Sequence, residues 1–236
     1  MIIAYLLAKF EEIDKNAHIE WIQLIEGGFF EFLQRVILTD IKPPVFYKLM
    51  ERKGNELNNY VIRELKDDLK DLKSDFGKRL ERYLFNPEYS RVEKRILKAA
   101  HYLASNWEFK IIYHTCPFIY GIEKTKEEIE NQIEDHFDII GVQKIQLGKK
   151  SYGFIDLCGQ LRFQKRWAHS PRVPQTSVLG HMLIVAILAY LCSNEIGACP
   201  ARIYNNYFSS LFHDLPEVLT RDIISPVKKS VPDWKR

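Results

Sequence analysis

An all-α protein is what this sequence predicts, and three observations predict it. Apolar residues recur at helical spacing through nearly every long segment, a helix-start signature stands in mid-chain, and the one stretch of short β-branched and aromatic runs is broken by glycines. In 58–85, NNYVIRELKDDLKDLKSDFGKRLERYLF, the positions Val61, Leu65, Leu69, Leu72, Phe76, Leu80 and Leu84 fall three or four apart with Lys, Arg, Asp and Glu between them. That pattern predicts an amphipathic helix or a helix pair with a solvated charged face. Ser90 and Glu93 have capping-box spacing ahead of the apolar run in 90–113, which predicts a fresh helix after FNPEY. Between 137 and 164, Gly141, Gly148, Gly153 and Gly159 interrupt the runs, so this stretch reads as a linker carrying a short hairpin at GKKSYG. The most apolar stretch, VLGHMLIVAILAYLC at 178–192, holds His181 near its start and is short for a membrane span, which predicts a buried core helix and no membrane association.

The 236 residues suffice for one large domain or two small ones with a substantial core. A hydrophobic share of 46% with 28% charged residues excludes a chain dominated by disorder. The net charge of +3 comes from 34 basic and 31 acidic residues spread along the chain, so charge offers no support for nucleic-acid binding. Cys116, Cys158, Cys192 and Cys199 form no CxxC pair, and no secretory leader is recognisable; a reducing, cytoplasmic location is expected.

The chemistry concentrates in SSLFHDLPEVLTRDIISPVKK at 209–229, where His213 and Asp214 stand side by side in what reads as the buried stripe of a helix. A lone histidine in an apolar helix is most often a satisfied core residue. Two histidines, His181 and His213, with Asp214 on neighbouring helices instead suit a divalent transition ion, since imidazole and carboxylate are its ligands and packed helices converge them rigidly. Glu217, three residues after Asp214, reads either as a proton-transfer group on the same face or as a surface carboxylate.

Arg166-Trp167 lies fifteen positions before His181, and the doublet is followed by Glu217, VLT at 218–220, Asp222 and PVK at 226–228. This spaced set resembles the HD-domain metal-dependent phosphohydrolase superfamily, and most closely the bacterial HD-domain 5′-deoxynucleotidases. The resemblance runs from about residue 160 to 236. It implies an HD-type helical bundle that hydrolyses a nucleotide phosphate ester through metal-activated water, with a small-molecule substrate. By that resemblance His181, His213 and Asp214 are ligands of a divalent ion (Mn, Co, Fe, Ni, Zn or Mg), and Glu217 is the acid/base. Arg166 would grip the phosphate by paired charge-assisted hydrogen bonds, with Trp167 and Asp222 toward sugar and base. A catalytically silent scaffold for a nucleotide or partner protein is the alternative from another class. Hydrolysis of a nucleoside triphosphate or a signalling nucleotide is the alternative within the enzyme class.

The family's pattern is not matched throughout. VPQTSVLG, with Gly180 in place of an acidic residue, precedes the first ligand, and Arg172 is the substitute contact it offers. The family's fourth ligand is an Asp on a later helix, whereas Asp233 follows too closely. The expected organisation is therefore a helical domain over 1–136, the linker over 137–164, and the N-terminal portion of an HD domain over 165–236 without its fourth-ligand helix. ILTDIKPPVFYK at 37–48 parallels VLTRDIISPVKK at 218–229, which favours reading 1–136 as a degenerate HD-like copy. In that reading His101 stands where the copy's ligand Asp would be; a permuted reading, in which the first half folds back and His101 completes the site, stays open. The apolar helices also leave surface for a homo-oligomer.

Overall fold

The computed structural model describes residues 1–39, 41, 43–72, 75–166 and 173–220, without the side chains at 43–45 and 47. The elements are α1 (Ile2–Lys15), α2 (Trp21–Leu38), α3 (Pro43–Leu69), α4 (Phe76–Phe85), α5 (Arg91–Thr115), α6 (Ile122–Glu134), α7 (Ile140–Gln146), α8 (Lys150–Gln160), α9 (Val178–Glu195), α10 (Pro200–Phe212) and α11 (Glu217–Thr220). Among the described residues the only β feature is an isolated antiparallel bridge between Lys165 and Ser177, so the fold class is all-α as expected.

Helix α2 is the wall between two cores. Ile25, Phe29 and Phe30 join α3, α4, α9 and α10 through Val61, Leu80, Met182, Tyr190 and Tyr207, while Leu24 joins α1, α5 and α7 through Leu7, Leu97 and Val142. Two adjacent glycines inside this helix cost about 1 kcal/mol each relative to alanine. Gly27 returns that cost as close packing, for a Cβ there would lie 2.7 Å from Leu97 Cδ1 and 3.0 Å from Tyr83 Cε2. The first core therefore draws on both ends of the chain, with residues 25–83 packed directly on residues 158–211.

The amphipathic stretch 58–85 resolves as a pair, α3 followed by α4, with Val61, Leu65, Phe76 and Leu80 buried as the spacing predicts. The capping pair is a correction. Helix α5 does begin at Arg91, but Ser90 lies at φ 55° and makes no cap; its Oγ donates to Gln23 Oε1 at 2.7 Å, and Glu93 Oε1 accepts from the Glu20 amide at 2.9 Å. Both residues are spent on docking the start of α2, where the amide needs a buried acceptor.

Residues 137–164 are a second correction, because α7 and α8 stand where a linker with a hairpin is expected. Only Gly148, at φ +67°, serves a turn. Gly141 and Gly159 are contact points: a Cβ would lie 2.6 Å from Leu7 Cδ2 at the first and 2.3 Å from Trp107 Cζ2 at the second. Helix α9 is the third correction. It buries Val178, Met182, Ala186, Ile187 and Tyr190 but exposes Ile184 (45%) and Leu188 (54%), so it is a one-sided rather than a wholly buried helix. At 18 residues it is long and apolar enough to cross a membrane by length and composition alone, a test that soluble core helices also pass.

Candidate metal centre

Three elements converge on the site. His181 stands in the first turn of α9, whose N-cap Ser177 accepts from the Gly180 amide at 3.1 Å. His213 and Asp214 follow the last turn of α10, and Glu217 opens α11. The doublet is thus at a helix end rather than in a buried helical stripe. Pro216 enforces this, because it has no N–H to continue the ladder; Leu215 N bonds to Phe212 O at 3.1 Å and Glu217 N to Asp214 O at 3.0 Å, as tighter turns. Two ionisable groups at this end keep access to solvent, and the negative end of the α10 dipole favours a cation there.

The end of α10 is held from the N-terminus of the chain. Tyr5 of α1 packs on Phe208 and Phe212 with ring centroids 4.7 and 5.3 Å apart, and Trp21 of α2 packs on Tyr204 and Phe208 at 5.1 and 5.6 Å. Phe212 is the residue immediately before His213, so these aromatic contacts set where the doublet sits. A second anchor reaches α9: buried Glu26 accepts from Tyr190 Oη at 2.5 Å and from Arg79 Nε at 3.0 Å. Sequence reading missed both. The visible signal was Glu26 inside the apolar run LIEGGFF.

At the centre, His213 Nδ1 lies 2.7 Å from Ser210 O. A carbonyl only accepts, so Nδ1 carries the proton and Nε2 of the neutral ring presents a lone pair. That Nε2 lies 3.1 Å from Asp214 Oδ2, and His181 Nε2 lies 3.7 Å from the same oxygen. His213 Nε2 is therefore an acceptor facing an acceptor, an arrangement that a shared cation or proton satisfies. The donor atoms of His181, His213 and Asp214 all lie within 4.8 Å of one another, a group that could hold a metal ion. Ligands about 2.0–2.2 Å from one ion stand roughly 3 to 4 Å apart, and the two imidazole-to-carboxylate distances, 3.1 and 3.7 Å, fall in that range.

Arg166 also reaches this point, with Nη1 2.5 Å from Asp214 Oδ2. Its backbone is pinned ahead of α9 by Arg166 N to Thr176 O at 3.0 Å and Val178 N to Gln164 O at 2.9 Å. Glu217 Oε2 is buried, unlike the oxygen of a surface carboxylate. Trp167, Asp222, Arg172, Pro226 and Asp233 lie outside the described residues. His101 is not part of the group: its Nε2 lies 2.6 Å from Glu31 Oε2, and Glu31 in turn accepts from Tyr83 Oη at 2.7 Å. Among the described residues no fourth His, Cys, Asp or Glu joins the three. Cys158 is buried and does not join the three, and burial pushes its thiol up to about 11.

Residues 158–235 match the family model of the HD domain. The matched HD region, about a third of the chain, contains the three converging residues together with Arg166 and Glu217. HD domains belong to a superfamily of metal-dependent phosphohydrolases, and the His-His-Asp group accords with the divalent ion that such domains bind. No curated protein and no solved structure matches the chain.

Proposed function

We propose that this protein is a metal-dependent phosphohydrolase acting on a nucleotide phosphate ester, with 5′-nucleotidase-like chemistry. The observation that carries the reading is the convergence of His181 Nε2, His213 Nε2 and Asp214 Oδ2 on one point, with the tautomer of His213 set by Ser210. A divalent ion held by these three residues would supply Lewis acidity and a more acidic water; two imidazoles suit Mn, Fe, Co, Ni or Zn better than Mg. Arg166, beside the group, offsets charge on the phosphoryl oxygens, and its planar fork matches two of them at once. Glu217, with Oε2 shielded from bulk water, receives and returns the proton of the attacking water. Trp167 and Asp222 are the proposed contacts to sugar and base. Residues 1–136 serve this reading as packing partners, and four cysteines without a CxxC pair suit a reducing, cytoplasmic location.

Phosphate release from nucleoside 5′-monophosphates by the Mn2+- or Co2+-loaded protein tests the proposal. His213→Ala or Asp214→Ala is expected to abolish both metal uptake and turnover; unchanged activity in either overturns it. A second reading, a catalytically silent HD scaffold that binds a nucleotide or a partner, is favoured by the group's having three donors among the described residues. Elemental analysis separates the two, because a purified chain that retains none of Mn, Co, Fe, Ni or Zn supports the scaffold.

A further inference from the structure

We propose that Arg166 and a bound divalent ion exchange places at Asp214: the guanidinium holds the carboxylate of the metal-free protein, and metal binding hands it over to the substrate's phosphate. This rests on the metal-dependent reading above and adds to it a means by which metal and substrate bind as a unit.

The contested atom is Asp214 Oδ2. It faces His213 Nε2 at 3.1 Å and His181 Nε2 at 3.7 Å, and it is also the oxygen that accepts from Arg166 Nη1 at 2.5 Å. A metal ion drawing on both imidazoles must take its third donor from the carboxylate that the guanidinium already holds. A divalent ion there repels a guanidinium in hydrogen-bond contact with its own ligand, and little water intervenes, since the Asp214 side chain is only 15% exposed. The displaced group then has a better partner than water, because a phosphate dianion accepts two parallel N–H bonds from one fork.

The fold lets this hand-over occur in the side chain alone. Residues on both sides of the bridge between Lys165 and Ser177 are hydrogen-bonded, so the backbone of Arg166 is fixed while its side chain, 23% exposed, has an open path. By linkage, whatever draws Arg166 off Asp214 tightens the metal, and metal in turn frees Arg166 for anions.

Isothermal titration with Mn2+ alone, on wild type and on Arg166→Gln, with and without inorganic phosphate, tests the exchange. Arg166→Gln is expected to bind Mn2+ about tenfold more tightly in the absence of phosphate, the scale of one lost charge-assisted hydrogen bond. Phosphate is expected to tighten Mn2+ on wild type and to have no such effect on the variant. Equal or weaker Mn2+ binding by Arg166→Gln, with native circular dichroism, overturns the exchange and leaves the metal centre standing. No Mn2+ uptake by either protein overturns the metal-dependent reading and the exchange with it. If Arg166→Gln does not fold, Arg166→Lys, which lacks the planar fork, is expected to bind Mn2+ several-fold more tightly than wild type; equal or weaker binding overturns the exchange.

Discussion

Glu26 and Asp214 are both carboxylates beside an arginine, and both clusters touch α9, one through Tyr190 and the other through His181. Their surroundings differ in kind. Glu26, 5% exposed, is met by donors alone, the hydroxyl of Tyr190 and the guanidinium of Arg79, so its polar chemistry is closed within the fold. Asp214 is met by Arg166 and by two imidazole nitrogens, and one of these, His213 Nε2, carries its ring proton on the far side and so faces the carboxylate as an acceptor at the solvent-facing end of α10. A matched cluster tells how helices are tied together. An unmatched one tells where something else binds.

The largest expected effect comes from breaking the unmatched cluster. Asp214→Asn should cut turnover by roughly a thousandfold or more and abolish Mn2+ uptake, with melting temperature little changed; this is read by phosphate release, elemental analysis and calorimetry. Retained metal in a folded Asp214→Asn would place the ligands elsewhere and dissolve the contrast.

The matched cluster should respond in the opposite currency. Arg79→Met strands buried Glu26 and should lower stability by about 3–5 kcal/mol, seen as a shift in the urea midpoint, while the folded protein binds Mn2+ as wild type does. Gly159→Ala is a purely steric counterpart, with its Cβ 2.3 Å from Trp107 Cζ2, and should cost about 1–3 kcal/mol with metal uptake retained.

The smallest effect is a pH dependence. Desolvation raises the carboxyl of Glu26 above its ordinary value of 4.5, against the opposing pull of Tyr190 and Arg79. Because the folded value is the higher one, the stabilising contribution is complete below 4.5 and is lost as pH rises through the folded value. Urea midpoints of wild type relative to Glu26→Gln should therefore fall as pH climbs from 4.5 toward neutrality. A flat difference would mean that Arg79 and Tyr190 fully offset burial.

Much of the fold was legible because helical periodicity is local. Val61, Leu65, Phe76 and Leu80 announce their buried face within a few turns of one another, and the start of α5 at Arg91 was visible in SRVEK. Legibility failed where one residue type has two uses. Glycine marks either a turn or a close approach, and at Gly141 and Gly159 it marks the approach, so a hairpin was expected where α7 and α8 lie. Ser90 and Glu93 have the spacing of a cap, yet the partners that claim them, Gln23 and Glu20, are about seventy residues away in sequence. The burial of α9 was overestimated because composition cannot say how many neighbours a helix finds.

For the candidate site, the sequence by itself determined the donor types and their order: His181, then the His213-Asp214 doublet, then Glu217, with Arg166 ahead of them. The interruption at Pro216 was not read from the sequence, which placed the doublet in the buried stripe of a helix; it came with the structure, although a missing N–H acts locally. Only the tertiary structure decided that the three donors meet within 4.8 Å, that Arg166 holds the oxygen they share, and that His101 turns to Glu31 instead. It also decided that Tyr5 and Trp21, almost two hundred residues upstream, hold the end of α10 in place. The reason is range: hydrogen-bond periodicity and proline act over one turn, whereas the position of a ligand depends on every helix packed against the one that carries it.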